Sequence, residues 1–464
     1  MSHQLPAGAP RTEGSAYRLL RRVIDLRPDE LRALAWSWLY IFSVLSSYYI
    51  IRPIRDEMGV ASGVETLPWL FTGTLCGMML MNPPFAALVA RLPRVRFIAI
   101  AYRFFLTNLL LFGVLLQVAT PAQNIWVGRI FFIWTSVFNL FVVSVFWALM
   151  VDVFDAEQGK RLFGMISAGA TLGSILGSSL TATLARHVGA TYLLLGSACL
   201  LEIAVFSVRR LSRLSEALRR RPAARGDETP IGGNVLSGFT HAFRSRYLLN
   251  IGVYMLLYAL TSTFLYFEQA AIVNRSFSDR AARTAFFAQV DLVVNVLTLG
   301  VQLFLTDRLL RRLGVALTLT LLPALTALGF FTLGLMPTVA IIVLFQVLRR
   351  TSNFAVARPT REVLFTVIPR EDKYKTKSFI DTVIYRGGDQ VGAWSYALLS
   401  GLGLSGIGIA FAAVPISVAW LLNGFWLGRE QEARAAAQEA RPPAPAATLL
   451  GRGSGAHRGQ PEGP

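Results

Sequence analysis

Two clusters of charged residues interrupt a chain that is otherwise strongly apolar. The first, at Arg52, Arg55, Asp56 and Glu57, follows the first apolar run. The second lies between two long apolar runs and reads NFAVARPTREVLFTVIPREDKYKTKSFIDTVIYRGGDQ, residues 353–390. A charged side chain at membrane depth costs roughly 2.5–3.5 kcal/mol on insertion scales. A chain keeps such residues where they face a water-filled cavity, pair with one another or bind a solute.

The arginines of these clusters have the chemistry of an anion site. Guanidinium groups bind phosphate and carboxylate through two parallel hydrogen bonds. Arg358 and Arg361 lie within about one helical turn of Glu362, and Pro359 between them removes a backbone hydrogen bond at depth. We therefore predict that Arg55, Arg358 and Arg361 bind an anionic substrate. The structural alternative is an ion-pair network that closes a cavity, and both can hold.

Isolated carboxylates are the second type of candidate. A lone carboxyl group in an apolar bundle is costly in its charged form, so it can load and release a proton. Glu268 and Asp291 lie inside apolar runs and are interpreted as coupling sites. For Glu202 we favour the alternative, a carboxylate that pairs with an arginine and is purely structural. The predicted coupling or gating residues are Asp56, Glu268, Asp291, Glu362, Asp381, Arg386 and Asp389.

Nothing in the sequence supports an enzyme. GxxxxGK[ST], HExxH and GxSxG are absent from the chain. The four histidines are far apart in the sequence, so no metal site is predicted, and no cofactor is expected. The net charge of +18 does not predict nucleic-acid binding, because the basic residues lie in short loops on one side of the apolar segments.

Composition places these residues in a membrane. The chain has 464 residues, of which 54% are hydrophobic and 16% are charged, whereas soluble domains carry about 25% charged residues. Long and numerous apolar runs predict a polytopic membrane protein. Residues 1–30 are polar and arginine-rich, so no cleavable signal peptide is predicted.

The chain divides into five regions and about twelve predicted transmembrane helices. The regions are a cytosolic tail at 1–30, a six-helix half at 31–208, a basic cytosolic linker at 209–246, a second six-helix half at 247–428 and a disordered tail at 429–464. The first span is predicted to end at Ile51, with the helix stopping just after Arg55. The predicted spans are 31–51, 66–90, 97–118, 125–154, 162–184, 190–208, 247–273, 282–306, 314–335, 338–367, 376–401 and 405–427.

The loops determine the predicted topology. Basic loops follow the even-numbered spans, although the loops after spans one and seven also carry arginines. The positive-inside rule then predicts that both termini are cytoplasmic, in a bacterial inner membrane. The two halves repeat the same loop plan around the linker. Two six-span repeats are typical of the major facilitator fold, an all-α membrane architecture.

Three segments resemble the ATP/ADP translocase family of nucleotide transporters. They read IRPIRDEMGVASGVETLPWLF, SVFWALMVDVFDAEQGKRLFG and the segment 353–390 quoted above. Where the family has lysines in spans one and ten, this chain has Arg55 and Arg361. The resemblance implies an anionic, phosphorylated or nucleotide-like substrate. The residues that match family motifs are Arg55-Asp56, Phe146-Trp147, Arg361-Glu362, Ile368-Pro369, Lys375 to Lys377 and Ile380-Asp381.

The sequence thus predicts a secondary active transporter that moves an anionic solute by alternating access. Its expected partners are that anion, protons and membrane lipids, and the expected state is a monomer. A proton-coupled carrier of another organic solute is the competing transporter hypothesis. A membrane sensor or scaffold that does not transport is the competing hypothesis from another class.

Overall fold

The computed structural model describes Arg27, residues 30–219 and 245–368, Lys377 and residues 379–440. The predicted disordered tail lies outside the described residues from 441 onward, as do most of the N-terminal tail, linker residues 220–244 and residues 369–376 of the charged stretch. All regular structure among the described residues is helical, which confirms the all-α class.

The first half of the chain forms five long helices. The last of them, α5, is broken at Gly189, where φ is 74° and a glycine meets the left-handed backbone without strain. This break separates the predicted fifth and sixth spans. The helices are α1 (Leu31–Ala61), α2 (Leu67–Arg91), α3 (Arg94–Val118), α4 (Pro121–Val153) and α5 (Ala156–Arg219).

The second half repeats this arrangement with more interruptions. Two π-helical segments, Asn353–Ala357 and Ile380–Ile384, lie within the densely charged stretch found in the sequence. The helices are α6 (Arg246–Ser276), α7 (Arg280–Phe304), α8 (Thr306–Leu335), α9 (Val339–Ser352), α10 (Arg358–Leu364), α11 (Tyr385–Gly401) and α12 (Gly406–Glu439).

Nine helices in the described part of the chain are long and apolar enough to cross a membrane. One of them, at Arg161–Leu214, has 54 residues and contains the break at Gly189, so it can cross twice. α2 carries Asn82, Pro83 and Pro84, and α11 has only 17 residues; neither is among the nine. The protein is a multi-pass membrane protein, as the composition predicts.

Three predicted boundaries are wrong. α1 continues ten residues beyond Ile51, through Pro53, to Ala61, so the charged cluster lies on the helix and not at its mouth. α5 extends to Arg219, into the predicted linker, and α12 extends to Glu439, into the predicted tail. Polar helix ends outside the apolar run caused these errors, because hydropathy marks the apolar part of a helix and not its hydrogen-bonded length.

α1 packs against α5 through glycines. A Cβ atom at Gly173 would lie 2.4 Å from the Phe42 carbonyl oxygen, and one at Gly177 would lie 2.4 Å from the Ser46 carbonyl oxygen. Small residues spaced by four allow the two backbones to approach closely, as in other membrane helix pairs. The Ser47 and Ser197 hydroxyls add a buried hydrogen bond of 2.6 Å between the same helices.

The halves join through an apolar cluster near the end of α1. We call the two ends of the molecule the Leu31 end and the Ala61 end, after the termini of α1. Val60, Leu67 and Phe132 from the first half pack with Phe264 and Phe267 of α6 in one buried cluster. The two halves are therefore in direct apolar contact toward the Ala61 end.

Candidate functional site

A cavity of about 910 Å³ separates the two halves at the Leu31 end. Trp147 and Thr171 line it from the first half, and Asn295 and Gln302 line it from α7. Trp147 is near the last turn of α4, and Gln302 is near the end of α7, which places the cavity at this end of the bundle.

Four predicted residues meet in this cavity: Arg358, Arg361, Glu362 and Asp381. Arg361 Nη2 lies 3.5 Å from Asp381 Oδ1, across from α10 to the π-helical segment before α11. Glu362 forms an ion pair with Lys377. Arg358 is exposed, and its guanidinium lies 5.5 Å from the ring of Phe354. Of these four, Arg358 is the one for which no carboxylate partner is seen within the described chain.

Pro359 explains why the helix is irregular beside these arginines. It has no N–H to donate to the carbonyl of Ala355, and the π-helical segment ends just before it. The Thr306 hydroxyl donates to that carbonyl instead, at 2.8 Å. Gln302 Nε2 donates to the carbonyl of Phe354 at 3.2 Å. α7 and α8 thus satisfy the backbone groups that the proline frees, as the bilayer requires.

A second cavity, of about 170 Å³, lies deeper between the halves. It shares Phe354 with the larger cavity. Three arginines and two carboxylates line it, so its charged lining is net positive. They are Arg52 and Asp56 of α1, Asp291 of α7, and Arg349 and Arg350 of α9.

Asp291 connects the two halves in this deep cavity. Its side chain is 2% exposed. Oδ1 lies 2.7 Å from Arg350 Nη2 and 3.4 Å from Arg52 Nη1. α1 belongs to the first half, whereas α7 and α9 belong to the second. The Asp291 carboxylate therefore pairs with one arginine from each half.

Arg349 is buried and has no carboxylate partner in the part of the chain that the structure describes. Its guanidinium donates to the hydroxyls of Thr326, Ser262 and Thr261 at 3.1–3.3 Å, and to the carbonyl of Tyr258 at 3.2 Å. It is ten residues from the start of α9, about 15 Å along the helix. Neutral oxygens therefore solvate a positive charge about halfway along a membrane-spanning helix.

At the Ala61 end, ion pairs of a buried carboxylate join the halves. Glu57 of α1 is 3% exposed. It accepts two hydrogen bonds from Arg280, at 3.0 and 3.1 Å, and a third from Arg283 at 3.1 Å. Both arginines lie in the first turns of α7. Together with the apolar cluster they hold the halves together at this end, beside a cavity of about 320 Å³ that Glu57 and Arg280 line, while the largest cavity lies at the other end.

The structure separates Arg55 from the other two predicted anion ligands. Arg55 lies over the ring of Phe132 at 3.9 Å and donates to Asp56 at 3.0 Å. It lines a third, small cavity together with Arg386 and Asp389, which pair with each other at 3.5 Å. The three predicted arginines are thus divided between two cavities.

Asp56 contacts both halves, whereas Glu268 does not line any of the cavities described. The Tyr266 hydroxyl of α6 donates to Asp56 Oδ1 at 3.1 Å. Glu268 is buried within the second half, where it accepts a hydrogen bond from the Tyr396 hydroxyl at 3.0 Å. A Cβ atom at Gly406 would lie 2.8 Å from its Oε2, so the first turn of α12 packs directly on this carboxylate.

Glu202 follows the structural alternative. It pairs with Arg103 of α3 at 2.6 Å on the outer face of the first half, away from the cavities. The two cysteines, Cys76 and Cys199, are free and exposed.

The predicted site residues do not include Arg52, Glu57, Arg349 and Arg350, although Arg52 and Glu57 belong to the first charged cluster of the sequence. Their spacing contained the signal. Arg52 and Asp56 are four residues apart and share one helix face, and Arg349-Arg350 interrupts an apolar run at its middle. The misplaced end of the first span hid the α1 residues, because it assigned them to an interface.

Comparisons with known proteins agree with this architecture. The sequence model described as Major Facilitator Superfamily matches residues 34–368. ADP,ATP carrier protein 2 of Chlamydia pneumoniae is 21% identical over 90% of this chain and 92% of its own length. ADP,ATP carrier protein 1 of Chlamydia muridarum is 22% identical over 88% and 90%. The chain is thus a distant relative of the ATP/ADP translocases.

Solved transporter structures share the fold. The POT family transporter PepTSo superimposes with a TM-score of 0.60 at 13% identity, over 87% of this chain and 98% of its own. The nucleoside transporter NupG superimposes with a TM-score of 0.56 at 14% identity, over 89% and 100%. At these identities the likeness concerns the fold alone.

Proposed function

Because the chain belongs to the Major Facilitator Superfamily, we propose that it is a secondary active transporter of an anionic, nucleotide-like solute. The main support for an anionic substrate is the deep cavity, in which Arg52, Arg349 and Arg350 face two carboxylates. An anion with one net negative charge would balance this lining. The guanidinium group of arginine is also planar, and its N–H donors are spaced to form two parallel hydrogen bonds with a phosphate or carboxylate.

The two cavities suggest a route for the solute. It enters the large cavity at the Leu31 end, where Arg358 is exposed and Arg361 is held by Asp381. It then reaches Arg350 and Arg52 in the deep cavity, past Phe354. The aromatic side chains along the route, such as Trp147, Tyr49 and Phe354, offer faces to an organic part of the solute.

Alternating access is the proposed mode of transport. The closed Ala61 end and the open Leu31 end correspond to one of its two states. The other state requires that Glu57 release Arg280 and Arg283 and that the large cavity close. In the proposed orientation both termini are cytoplasmic, so the observed state faces inward. We place the protein in a bacterial inner membrane and expect a monomer.

The nucleotide part of the proposal rests on the relatives named as ADP,ATP carriers, which align over about nine tenths of the chain. A proton-coupled carrier of another organic solute is a second candidate. Glu268 favours it, because this buried carboxylate has the Tyr396 hydroxyl, and no arginine, as its side-chain partner in the described chain.

Uptake into proteoliposomes tests these proposals. Labelled ATP, ADP and a panel of organic anions would be offered to vesicles with and without internal nucleotide. Uptake that increases with internal nucleotide supports nucleotide exchange. Uptake of another solute driven by a proton gradient, with no nucleotide uptake, supports the second candidate. If no anion is transported while the protein is folded in the vesicles, the anion proposal is wrong.

A further inference from the structure

Asp291 occupies the place in the deep cavity that an anionic solute would occupy. It contacts Arg52 from one half and Arg350 from the other through a single oxygen, Oδ1. A carboxylate oxygen resembles a phosphate or carboxylate oxygen of a solute in charge and in hydrogen-bonding capacity. The protein thus carries a covalently attached anion at its own positively charged site.

This internal anion is loosely held. Its second oxygen, Oδ2, is buried and has no hydrogen-bond partner among the described residues. Arg350 Nη2 lies 2.7 Å from Oδ1, but this contact is not a hydrogen bond. The N–H groups of Nη2 are not aligned with any acceptor in the described chain. Asp291 therefore neutralises charge without satisfying the hydrogen bonds of either partner. A solute with several oxygens can form better hydrogen bonds with the same arginines.

The consequence concerns the return step of the empty carrier. When the large cavity closes, the arginines of the deep cavity lose water. An arginine left there without a counter-ion is strongly disfavoured, since breaking a buried ion pair is far more costly than never forming it. A carrier without an internal anion changes state only when loaded, which restricts it to exchange.

We propose that Asp291 acts as a built-in counter-anion that lets the empty carrier change state, so that the protein catalyses net transport as well as exchange. A bound solute replaces Asp291 at Arg350 and Arg52, and the carboxylate regains both contacts when the solute leaves. Arg349 remains close enough to line the same cavity and offsets the displaced carboxylate in the loaded state. This inference rests on the proposed transport of an anion.

Asp291→Asn removes the charge and keeps the shape of the side chain. Labelled ATP, ADP and inorganic phosphate are the probes, each measured for uptake into empty vesicles and into vesicles loaded with the same compound. We expect the ratio of net uptake to exchange to fall by about tenfold or more, because the empty carrier now has unpaired arginines. Asp307→Asn is the matched control, on an exposed residue that pairs with Arg311. An unchanged ratio in Asp291→Asn would overturn the inference.

Two further variants keep the proposal testable if Asp291→Asn fails to fold. Asp291→Glu keeps the charge and should retain the wild-type ratio of net uptake to exchange. Asp291→Asn combined with Arg350→Gln removes one charge of each sign. We expect this double variant to recover most of the wild-type ratio of net uptake to exchange. A double variant in which exchange persists and net uptake does not would contradict the inference.

A measurement without solute separates this inference from the proposed function. Spin labels at Ala122 and Ser278, exposed residues of the first and second halves near the Ala61 end, report whether that end is open. The solute-free wild-type chain should show two distances, and Asp291→Asn should show mainly the shorter one. Equal distributions would reject the role of Asp291 even if transport is found. Distributions as expected with no anion transported would reject the proposed substrate and keep the role of Asp291.

Discussion

Individual arginines in this protein differ in what solvates them. Arg349 is surrounded by neutral oxygens, Arg350 and Arg52 share the carboxylate of Asp291, and Arg361 lies 3.5 Å from Asp381. A guanidinium that pairs with a carboxylate on another helix can hold two helices together and can also bind a solute. Pairing therefore does not exclude a role in solute binding. The ion-pair network predicted from the sequence is thus observed, and the anion site stays a proposal for the same side chains.

At this scale the first prediction concerns Arg361. Arg361→Ala removes a charge from the wall of the large cavity and leaves Asp381 without its arginine. We expect anion uptake to fall by about tenfold to a hundredfold, which corresponds to the loss of one hydrogen bond to a charged group. Membrane insertion should be unchanged. Initial uptake rates in proteoliposomes, normalised to inserted protein, provide the measurement.

Arg312→Ala is the control for this variant, since Arg312 is exposed on α8 outside the cavities described. Normal uptake by Arg361→Ala would show that this arginine does not contact the solute.

Among the helices, the unit formed by α9, the π-helical segment and α10 is the least regular. Pro359 interrupts its hydrogen bonds beside the cavity, and side chains of α7 and α8 replace them. π-Helical segments within α-helices are frequent at functional sites. Arg358 and Arg361 lie on one side of this irregularity and line the large cavity, whereas Arg349 and Arg350 lie on the other side and line the deep cavity.

Thr306→Val tests this replacement of backbone hydrogen bonds. It removes the hydroxyl that donates to the Ala355 carbonyl, and the proline cannot restore the bond. We expect a loss of about 1 kcal/mol in the free energy of unfolding. Thr332→Val is matched, because the Thr332 hydroxyl donates only within its own helix, to Leu328. Thermal unfolding of both variants in detergent decides the matter, and equal midpoints would contradict the prediction.

The contact of α1 with α5 gives the second prediction at the scale of elements. A methyl group at Gly177 would lie 2.4 Å from the Ser46 carbonyl oxygen, whereas one at Gly164 meets no atom within 4 Å. Ala is a better helix former than Gly by up to about 1 kcal/mol. We expect Gly164→Ala to be neutral or stabilising, and Gly177→Ala to destabilise by about 1–3 kcal/mol through overpacking.

Both variants can be compared by unfolding in the same detergent. A Gly177→Ala protein as stable as Gly164→Ala would mean that the two helices can move apart without cost.

The whole molecule is asymmetric about the plane of the membrane. Its halves touch at the Ala61 end through Glu57, Arg280, Arg283 and an apolar cluster, and they diverge at the Leu31 end around a cavity of about 910 Å³. Asp291 lies between these regions and contacts both halves. A rocking motion of one half against the other would open one end and close the other about this point.

Glu57→Gln tests the closed end. It removes the charge that two arginines share in a buried site, so the observed state should lose stability relative to the opposite one. We expect the population that is open at the Ala61 end to rise by about tenfold or more, measured as the fraction of the longer distance between spin labels at Ala122 and Ser278. Glu65→Gln, on an exposed residue of the neighbouring 3₁₀ turn, should leave the distribution unchanged. Identical distributions in the two variants would show that these ion pairs do not hold the end closed.

Sequence alone determined the all-α membrane class of the protein and located the charged stretch beside Pro359, whereas the twelve spans and the five regions stay predictions. These follow from hydropathy, loop charge and local chemistry, which act within one helix or one loop. The resemblance of three segments pointed to the translocase family, and the matches along the chain agree with it.

Only the tertiary structure decided which charges meet. Asp291 is 239 residues from Arg52 in the chain and 3.4 Å from it in space. Arg55 is divided from Arg358 and Arg361 because it faces Phe132 and not the large cavity. Glu268 is enclosed by Tyr396 and α12. Such pairings depend on how each helix is rotated and packed, and hydropathy carries little information on rotation when a helix is apolar on nearly all sides.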